Sequence, residues 1–270
     1  MDKTVEIIVL IALGIVGLCI GSFLNVLIYR LPLGMNIAVP PSHCPSCEQK
    51  IKWYDNIPLL SYVILRGKCR NCKSKIPFTY FAVELINVAL WIILLITFDL
   101  PYSLIFALAS SILIAIAFID FKHQIIPDSL NITIAVLGLI ATVYGIFYPT
   151  VTGVLGAYAV YWWERLIGCV GGGLLFTAVY FIYLALRKKE GLGGGDIKFI
   201  AAAGLLLGYK LTLLCIGLAA IYACIYLLIA KIAGKLDTQK PFAFGPFLAA
   251  AAFTAISVGN YFIDLYLSLF

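Results

Sequence analysis

The chain has 270 residues, of which 63% are hydrophobic and only 12% are charged, and its mean hydropathy is +1.05. Soluble domains usually carry about 25% charged residues, so this composition excludes an ordinary water-soluble protein and indicates several membrane spans. The formal net charge is +6 at pH 7. Membrane topology accounts for this excess of basic residues, so we expect no nucleic-acid partner.

Apolar runs close to the ~20 residues that cross a bilayer predict an all-α polytopic membrane protein of about eight transmembrane segments. Seven of them are long: 5–28, 80–98, 102–119, 129–148, 165–186, 211–230 and 244–268. The eighth, 197–209, is too short to cross about 30 Å as a helix, so we expect it to be tilted or partly re-entrant. The first run has no small-x-small cleavage site, which favours a retained anchor over a removed signal.

Basic residues favour one orientation of these segments. When alternate loops are assigned to opposite sides, all but three of the 19 lysines and arginines fall on one face. The exceptions are Lys3, Arg165 and Lys210. By the positive-inside rule the basic face is cytosolic and both chain ends are outside.

A long polar stretch, 33–79, follows the first span and is predicted to be cytosolic. It holds two C-x-x-C pairs, Cys44 with Cys47 and Cys69 with Cys72. Two such pairs at this spacing are typical of a structural zinc ion held by four thiolates. Two disulfides are the alternative, but disulfides are rare in the reducing cytosol. The sequence therefore predicts the domains 1–32, a first transmembrane helix, 33–79, a zinc-binding domain, and 80–270, a membrane-embedded domain.

In the first half of the chain some apolar residues lie in the polar stretch, and some polar residues lie in the apolar spans. Apolar residues between the cysteine pairs, such as Trp53 and Leu60, are expected to pack on the zinc module or lie at the membrane surface. Gly21 and Asn25 share a helix face, which favours close helix packing over a catalytic role for Asn25. For Glu84, in the second span, an interpretation in which the side chain reaches water is favoured over a role in a site.

Two aspartates lie at the ends of apolar segments in the second half. Asp120 closes the run 102–119, and Asp196 follows three glycines in Gly193-Gly194-Gly195-Asp196. Acidic groups inside apolar segments are costly and rare, so each is a candidate functional residue. The predicted topology places both at the cytosolic end of the membrane, which suggests that they form a pair.

The residues around these aspartates are supporting candidates. Gly193 and Gly195 allow another backbone to lie against the carboxylate, because glycine has no side chain. Asp128, at the start of the next span, fits equally well as a helix N-cap or as an accessory residue of the site. Lys198 follows Asp196 by two residues and is the remaining candidate.

Two neighbouring carboxylates do not both ionise easily, so they share a proton, as in the aspartic proteases. The ionised member can deprotonate water while the protonated member hydrogen-bonds the scissile carbonyl. Peptide hydrolysis at the membrane surface uses these residues together. A proton-coupled transporter is the alternative, although its carboxylates are expected near the midplane. A membrane-anchored zinc module that only recruits partners would leave Asp196 without a use.

Motifs along most of the chain carry a resemblance to a known family. They are Gly21-Ser22-Phe23-Leu24-Asn25-Val26, C-P-x-C and C-R-x-C, Asn56-Ile57-Pro58-Leu59-Leu60, Ile126-Pro127-Asp128, G-x-G-D at 193–196, and Phe244-Gly245-Pro246-Phe247. In this order they resemble the bacterial type IV prepilin peptidases, which are G-x-G-D membrane aspartic proteases.

The resemblance implies more than the residues themselves. It places the catalytic aspartates at Asp120 and Asp196 and implies prepilin or pseudopilin substrates, whose short basic leader would be removed for type IV pilus assembly or type II secretion. Many members also methylate the new N-terminus with S-adenosylmethionine, and the cysteine-bearing loop accompanies those bifunctional members. The resemblance further implies the bacterial cytoplasmic (inner) membrane, with the active site and zinc loop facing the cytosol. It assigns no residue to the methyl donor.

Overall fold

The computed structural model describes residues 3–154, 156–188, 192–234 and 242–269. Nine α-helices occur in this part of the chain: α1 Lys3–Arg30, α2 Leu60–Ile64, α3 Phe78–Thr97, α4 Tyr102–His123, α5 Asp128–Phe147, α6 Trp162–Arg187, α7 Gly194–Leu207, α8 Tyr209–Ile232 and α9 Gly245–Leu267. Short 3-10 helices cover Leu31–Leu33 and Trp53–Asn56. The predicted all-α polytopic membrane class is confirmed.

Seven helices of the described chain are long and apolar enough to cross a membrane. They are α1, α3, α4, α5, α6, α8 and α9, and each corresponds to one of the long apolar runs. The eighth run forms α7, which has 14 residues. At 1.5 Å per residue, α7 is about 21 Å long, which is short of the ~30 Å hydrocarbon layer.

One small sheet was not predicted. Strands β1 (Thr150–Gly153) and β2 (Gly156–Ala159) pair antiparallel, with Thr150 opposite Ala159. They lie in the segment between α5 and α6, which falls between the predicted spans 129–148 and 165–186. Their pairing satisfies backbone groups in a connection that would otherwise depend on water.

The chain divides into two compact units, Met1–Leu95 and Ile96–Phe270. The predicted division at residues 32 and 79 stays a prediction. In the first unit α1 packs closely on α3, because a Cβ on Gly17 would lie 2.9 Å from the Trp91 ring. The Asn25 amide donates a hydrogen bond to the Tyr80 carbonyl at 3.1 Å. These contacts agree with the predicted packing role of the small and polar face of the first helix.

Glu84 corrects one expectation. Its side chain is buried rather than extended to water, and its Oε2 accepts a hydrogen bond from the Leu59 amide at 2.7 Å. A helix-end carboxylate can avoid water when a nearby backbone donor replaces the lost hydration. The sequence could not indicate this donor, since Leu59 belongs to the loop between the cysteine pairs.

In the second unit α7 is held between α5 and α6 by glycines. A Cβ on Gly204 would lie only 2.2 Å from the Gly168 carbonyl oxygen, so the backbones of α6 and α7 are in direct contact. On the other side a Cβ on Gly138 would lie 2.8 Å from the Leu206 nitrogen. Such close approach is how small residues join membrane helices when no hydrophobic effect drives them together.

Charged side chains hold the C-terminal end of α7. The buried Arg165 guanidinium donates to the Leu206 carbonyl, which is one of the carbonyls that an ending helix leaves without an intrahelical partner. A cation there also matches the negative end of the helix dipole. Beside it, Glu164 pairs with Lys210 at 3.4 Å. These contacts fix α7 lengthwise and thereby position its other end, which carries Asp196.

Candidate active site

Asp120 lies near the C-terminal end of α4, where its side chain is only 5% exposed. Its Oδ2 accepts a hydrogen bond at 2.9 Å from the amide of Gly245, the first residue of α9. The N-terminus of a helix carries partial positive charge and free amides, so α9 stabilises a negative charge on this carboxylate.

Gly245 can make this contact because it has no side chain. A Cβ at this position would lie 2.7 Å from Asp120 Oδ2 and 2.9 Å from its Cγ. Pro246 follows in the first turn of α9, where its missing amide costs nothing. Sequence reasoning did not include Gly245 among the site residues. The available signal was the Gly-Pro pair at the beginning of a span, which marks a helix start but not what the start faces.

Asp196 lies in the first turn of α7 and is 9% exposed. Its Oδ2 accepts a hydrogen bond from the amide of Gly193, the N-cap residue, at 3.3 Å. A Cβ on Gly193 would lie 3.2 Å from the same oxygen. Asp196 therefore lies at a second helix N-terminus, and a side chain at position 193 would be in tight contact with its carboxylate.

The starts of α5 and α7 bring the two aspartates to one end of the second unit. A Cβ on Gly195 would lie 3.1 Å from the Cβ of Ile126, which follows α4 and precedes α5. The Asn131 amide donates to the Gly195 carbonyl at 3.3 Å. The Asp120 carboxylate is near enough to act electrostatically on Asp196. Gly195 thus lies close to Ile126, while the predicted approach of another backbone to the Asp196 carboxylate stays a prediction.

Asn131 was missed in the sequence. It is buried on α5, and its Oδ1 has no hydrogen-bond partner among the described residues. A buried amide oxygen of this kind is available to a water molecule or a substrate amide. The signal that could have found it is its position one turn after Asp128 in an otherwise apolar stretch.

Asp128 and Lys198 form an ion pair with a separation of 2.8 Å. Asp128 is the first residue of α5, and the N-cap is Pro127, so the N-cap interpretation of Asp128 is wrong. The two side chains are 63% and 58% exposed, respectively. The pair ties the start of α5 to the start of α7, but exposed ion pairs contribute little to stability.

The four predicted metal ligands converge in the first unit. The sulfurs of Cys44, Cys47, Cys69 and Cys72 all lie within 4.8 Å of one another. Cys44 and Cys72 Sγ are 3.8 Å apart, which equals the ~3.8 Å edge of a tetrahedron with Zn–S bonds of about 2.3 Å. None of the four forms a disulfide. The four thiols are therefore placed as ligands of one tetrahedral metal ion would be.

The thiols of this cluster are not equivalent. Burial disfavours the Cys44 thiolate, but amides of Ser46 and Cys47 and the Ser74 hydroxyl outweigh it and lower its pKa to about 6. The Gln49 amide favours the Cys47 thiolate, yet burial and the neighbouring thiols, chiefly Cys72, raise its pKa to about 11. Ionisation of a further thiol in the cluster is thus disfavoured by the negative charge of thiolates that have already formed. A bound divalent cation would offset this repulsion between thiolates.

The chain is similar to known proteins along most of its length. The model of the Bacterial Peptidase A24 N-terminal domain matches residues 15–98, and that of the Type IV leader peptidase family matches 107–228. A relative from Dichelobacter nodosus is 33% identical over 274 residues, covering 91% of this chain and 90% of its own. The chain belongs to the type IV leader peptidase family.

Other relatives of this family member agree. One from Xanthomonas campestris pv. campestris is 34% identical, covering 93% of this chain and 92% of its own. One from Pectobacterium carotovorum subsp. carotovorum is 34% identical, covering 88% and 89%. All three carry the name prepilin leader peptidase/N-methyltransferase. No solved structure matches the chain.

Proposed function

We propose that this member of the type IV leader peptidase family cleaves the leader peptide of prepilins or pseudopilins and methylates the new N-terminus. The observation that carries the hydrolytic part is the placement of two buried aspartates at one end of the second unit, each accepting a hydrogen bond from a backbone amide at a helix N-terminus. The relatives' names supply the substrate class and the second activity. A proton-coupled transporter receives no support from the same comparisons.

In this proposal the two aspartates have different roles. Asp120 has the shorter backbone hydrogen bond, from Gly245 at 2.9 Å, against 3.3 Å from Gly193 to Asp196. Charge-assisted hydrogen bonds to backbone amides favour the ionised carboxylate. We therefore assign the negative charge of the resting pair to Asp120 and the shared proton to Asp196.

Hydrolysis then proceeds without a covalent intermediate. Asp120 takes a proton from a water molecule as the water oxygen attacks the scissile carbonyl, and Asp196 gives its proton to the developing oxyanion. When the tetrahedral intermediate collapses, the hydroxyl proton returns to Asp196 and Asp120 protonates the leaving amine. The pair is restored with one water consumed. Asn131 and Gly193 keep the first turn of α7 in place throughout.

Two groups complete the proposal. The cysteine cluster would hold a structural Zn²⁺ through Cys44, Cys47, Cys69 and Cys72, which would stabilise the fold of the loop that they join. S-adenosylmethionine would supply the methyl group. No residue of this chain is assigned to the methyl donor.

The membrane location follows the same reasoning. The chain is a multi-pass membrane protein, and we propose the bacterial inner membrane with the dyad and the zinc loop on the cytosolic side. The basis is the excess of lysine and arginine in alternate loops. Asp128, Lys198, Gly193 and Gly195 are proposed as supporting residues of the peptidase site.

Mass spectrometry of a processed substrate tests both activities together. The purified protein in nanodiscs is incubated with a prepilin, with and without S-adenosylmethionine. The expected product lacks the leader in both reactions and gains one methyl group only when the donor is present. Asp120→Asn or Asp196→Asn should leave nearly all of the substrate intact in the time that the unaltered protein needs to cleave it, while the protein keeps its zinc. An uncut prepilin with the unaltered protein, or cleavage by either variant at the rate of the unaltered protein, would contradict the proposal.

A further inference from the structure

The short helix α2 and Glu84 take no part in the chemistry proposed above. α2 lies between the two cysteine pairs, in the stretch that the sequence left open between packing on the metal module and lying at the membrane surface. Its start is attached to α3, because the Leu59 amide donates to Glu84 Oε2 at 2.7 Å. The Ser22 side chain of α1 lies near the same carboxylate.

This attachment fixes how deep the segment lies. α3 begins at Phe78 and has 20 residues, which makes it about 30 Å long, the thickness of the hydrocarbon layer. Glu84 is six residues in from Phe78, which is about 9 Å along the helix axis. Leu59 therefore lies beside the second turn of a membrane span rather than above the membrane.

The rest of α2 follows the first turn of the same span. The Tyr62 ring packs on Phe81 and Phe78, with centroids 5.2 and 6.4 Å apart. After α2 the chain turns back at Gly67, whose amide donates to the Tyr62 carbonyl at 2.9 Å. The segment 56–67 thus enters and leaves at the same end of α3.

The opposite face of α2 is apolar and uncovered. Leu60, Val63 and Ile64 follow helical i, i+3 and i+4 spacing, so they share one face. They are 53%, 61% and 63% exposed, respectively. An apolar face of this kind at the depth of a span's first two turns would otherwise meet water, which is the costly alternative.

The backbone of the segment is also suited to lipid. Within a bilayer every backbone donor needs a partner in the protein. Here the amides bond to carbonyls of the segment itself or to Glu84 at Leu59, Leu60, Ser61, Val63, Leu65, Arg66 and Gly67. For the Leu59 amide the acceptor is Glu84 of α3 rather than a carbonyl of the segment.

We propose that residues 56–67 form a re-entrant element that inserts the Leu60, Val63 and Ile64 face into the acyl region of the membrane, with Glu84 as its anchor. The occupant of this face is lipid, because the element packs on the α3 span and is continuous with it. Two basic residues, Lys52 before the element and Arg66 near its end, suit an anionic headgroup layer. This proposal does not depend on the peptidase assignment.

Lipid quenching tests the insertion directly. An environment-sensitive fluorescent amino acid replaces Val63 or Ile64. As the matched control it replaces Lys50, an exposed residue that follows the first cysteine pair. Each full-length protein is placed in phosphatidylcholine and phosphatidylglycerol nanodiscs, with or without acyl chains brominated near the carboxyl end. We expect about a twofold loss of emission at 63 and 64 and none at 50, since interfacial helices lie roughly 5–10 Å into the headgroup and acyl boundary.

Two results would overturn the proposal. Red-shifted emission that is equal with and without bromine at both 63 and 64 would place the face in water. A blue-shifted emission without bromine quenching would mean that protein covers it.

The anchor is tested separately by exchanging Glu84. Glu84→Gln keeps an acceptor for the Leu59 amide, whereas Glu84→Leu removes it at similar volume. In Glu84→Leu we expect faster hydrogen exchange in the peptide covering 59–67 and weaker quenching at 63, and in Glu84→Gln we expect neither. Unchanged exchange and quenching in Glu84→Leu would show that this carboxylate does not hold the element.

Discussion

Replacing Gly245 by alanine tests whether the start of α9 holds Asp120. The added Cβ would lie 2.7 Å from Asp120 Oδ2 and 3.1 Å from its Cβ, well inside ordinary van der Waals contact. Both partners have little freedom, because Gly245 is followed by Pro246 and Asp120 is buried on α4. The substitution therefore breaks the 2.9 Å hydrogen bond rather than being absorbed by a side-chain rotation.

The size of the effect follows from that bond. A hydrogen bond to a charged group contributes about 1.5–3 kcal/mol, so its loss predicts a fall of roughly 10- to 150-fold in the cleavage rate. The assay is the initial rate of prepilin cleavage by purified protein in nanodiscs, followed by mass spectrometry. The change should appear in kcat rather than KM, because the interaction positions a reacting group.

A second glycine provides the matched control. Gly171 lies within α6, and a Cβ there would have nothing within 4 Å. The Gly171→Ala protein should cleave prepilin at a rate within about twofold of the unaltered protein, because the added methyl group meets no neighbour and alanine is the better helix former. A Gly245→Ala protein that inserts, retains its zinc and cleaves at the normal rate would refute the claim that α9 stabilises Asp120.

Three further predictions use the same preparations. Asn131→Ala removes one hydrogen bond of about 1 kcal/mol and should slow cleavage roughly fivefold; an unchanged rate would remove Asn131 from the site. Lys198→Ala breaks an exposed ion pair of under about 1 kcal/mol, so cleavage should fall less than about fivefold, and complete loss would assign Lys198 a direct role. Cys44→Ser and Cys72→Ser should each lose the bound zinc seen by metal analysis, whereas Cys19→Ser keeps it; retained stoichiometric zinc in the first two would count against the cluster.

The parts of this protein that could be predicted from the sequence are those fixed by short-range patterns. The membrane spans could be predicted from the lengths of the apolar runs, because the hydrocarbon core of a bilayer has a nearly constant thickness. The metal cluster follows from C-x-x-C spacing, which positions each thiolate pair locally. The prediction that Asp120 and Asp196 lie at the same end of the membrane follows from the alternating direction of the spans. It needs no knowledge of how the helices pack.

The parts that could not be predicted depend on packing between distant segments. Gly245 and Asp120 are 125 positions apart, and nothing local in either indicates the other. Arg165 counted only as an exception to the charge rule, whereas its side chain closes the end of α7. Glu84 was expected to reach water because its partner, the Leu59 amide, lies in a loop whose return to α3 has no sequence pattern.

Asp120 and Asp196 are proposed to act as one unit, and a double-mutant cycle on cleavage measures this most directly. Single-turnover cleavage is compared for the unaltered protein, Asp120→Asn, Asp196→Asn and the double variant. Residues that share one proton fail together, so the double variant should be no slower than the slower single variant. Losses that multiply in the double variant would show that the two aspartates act independently.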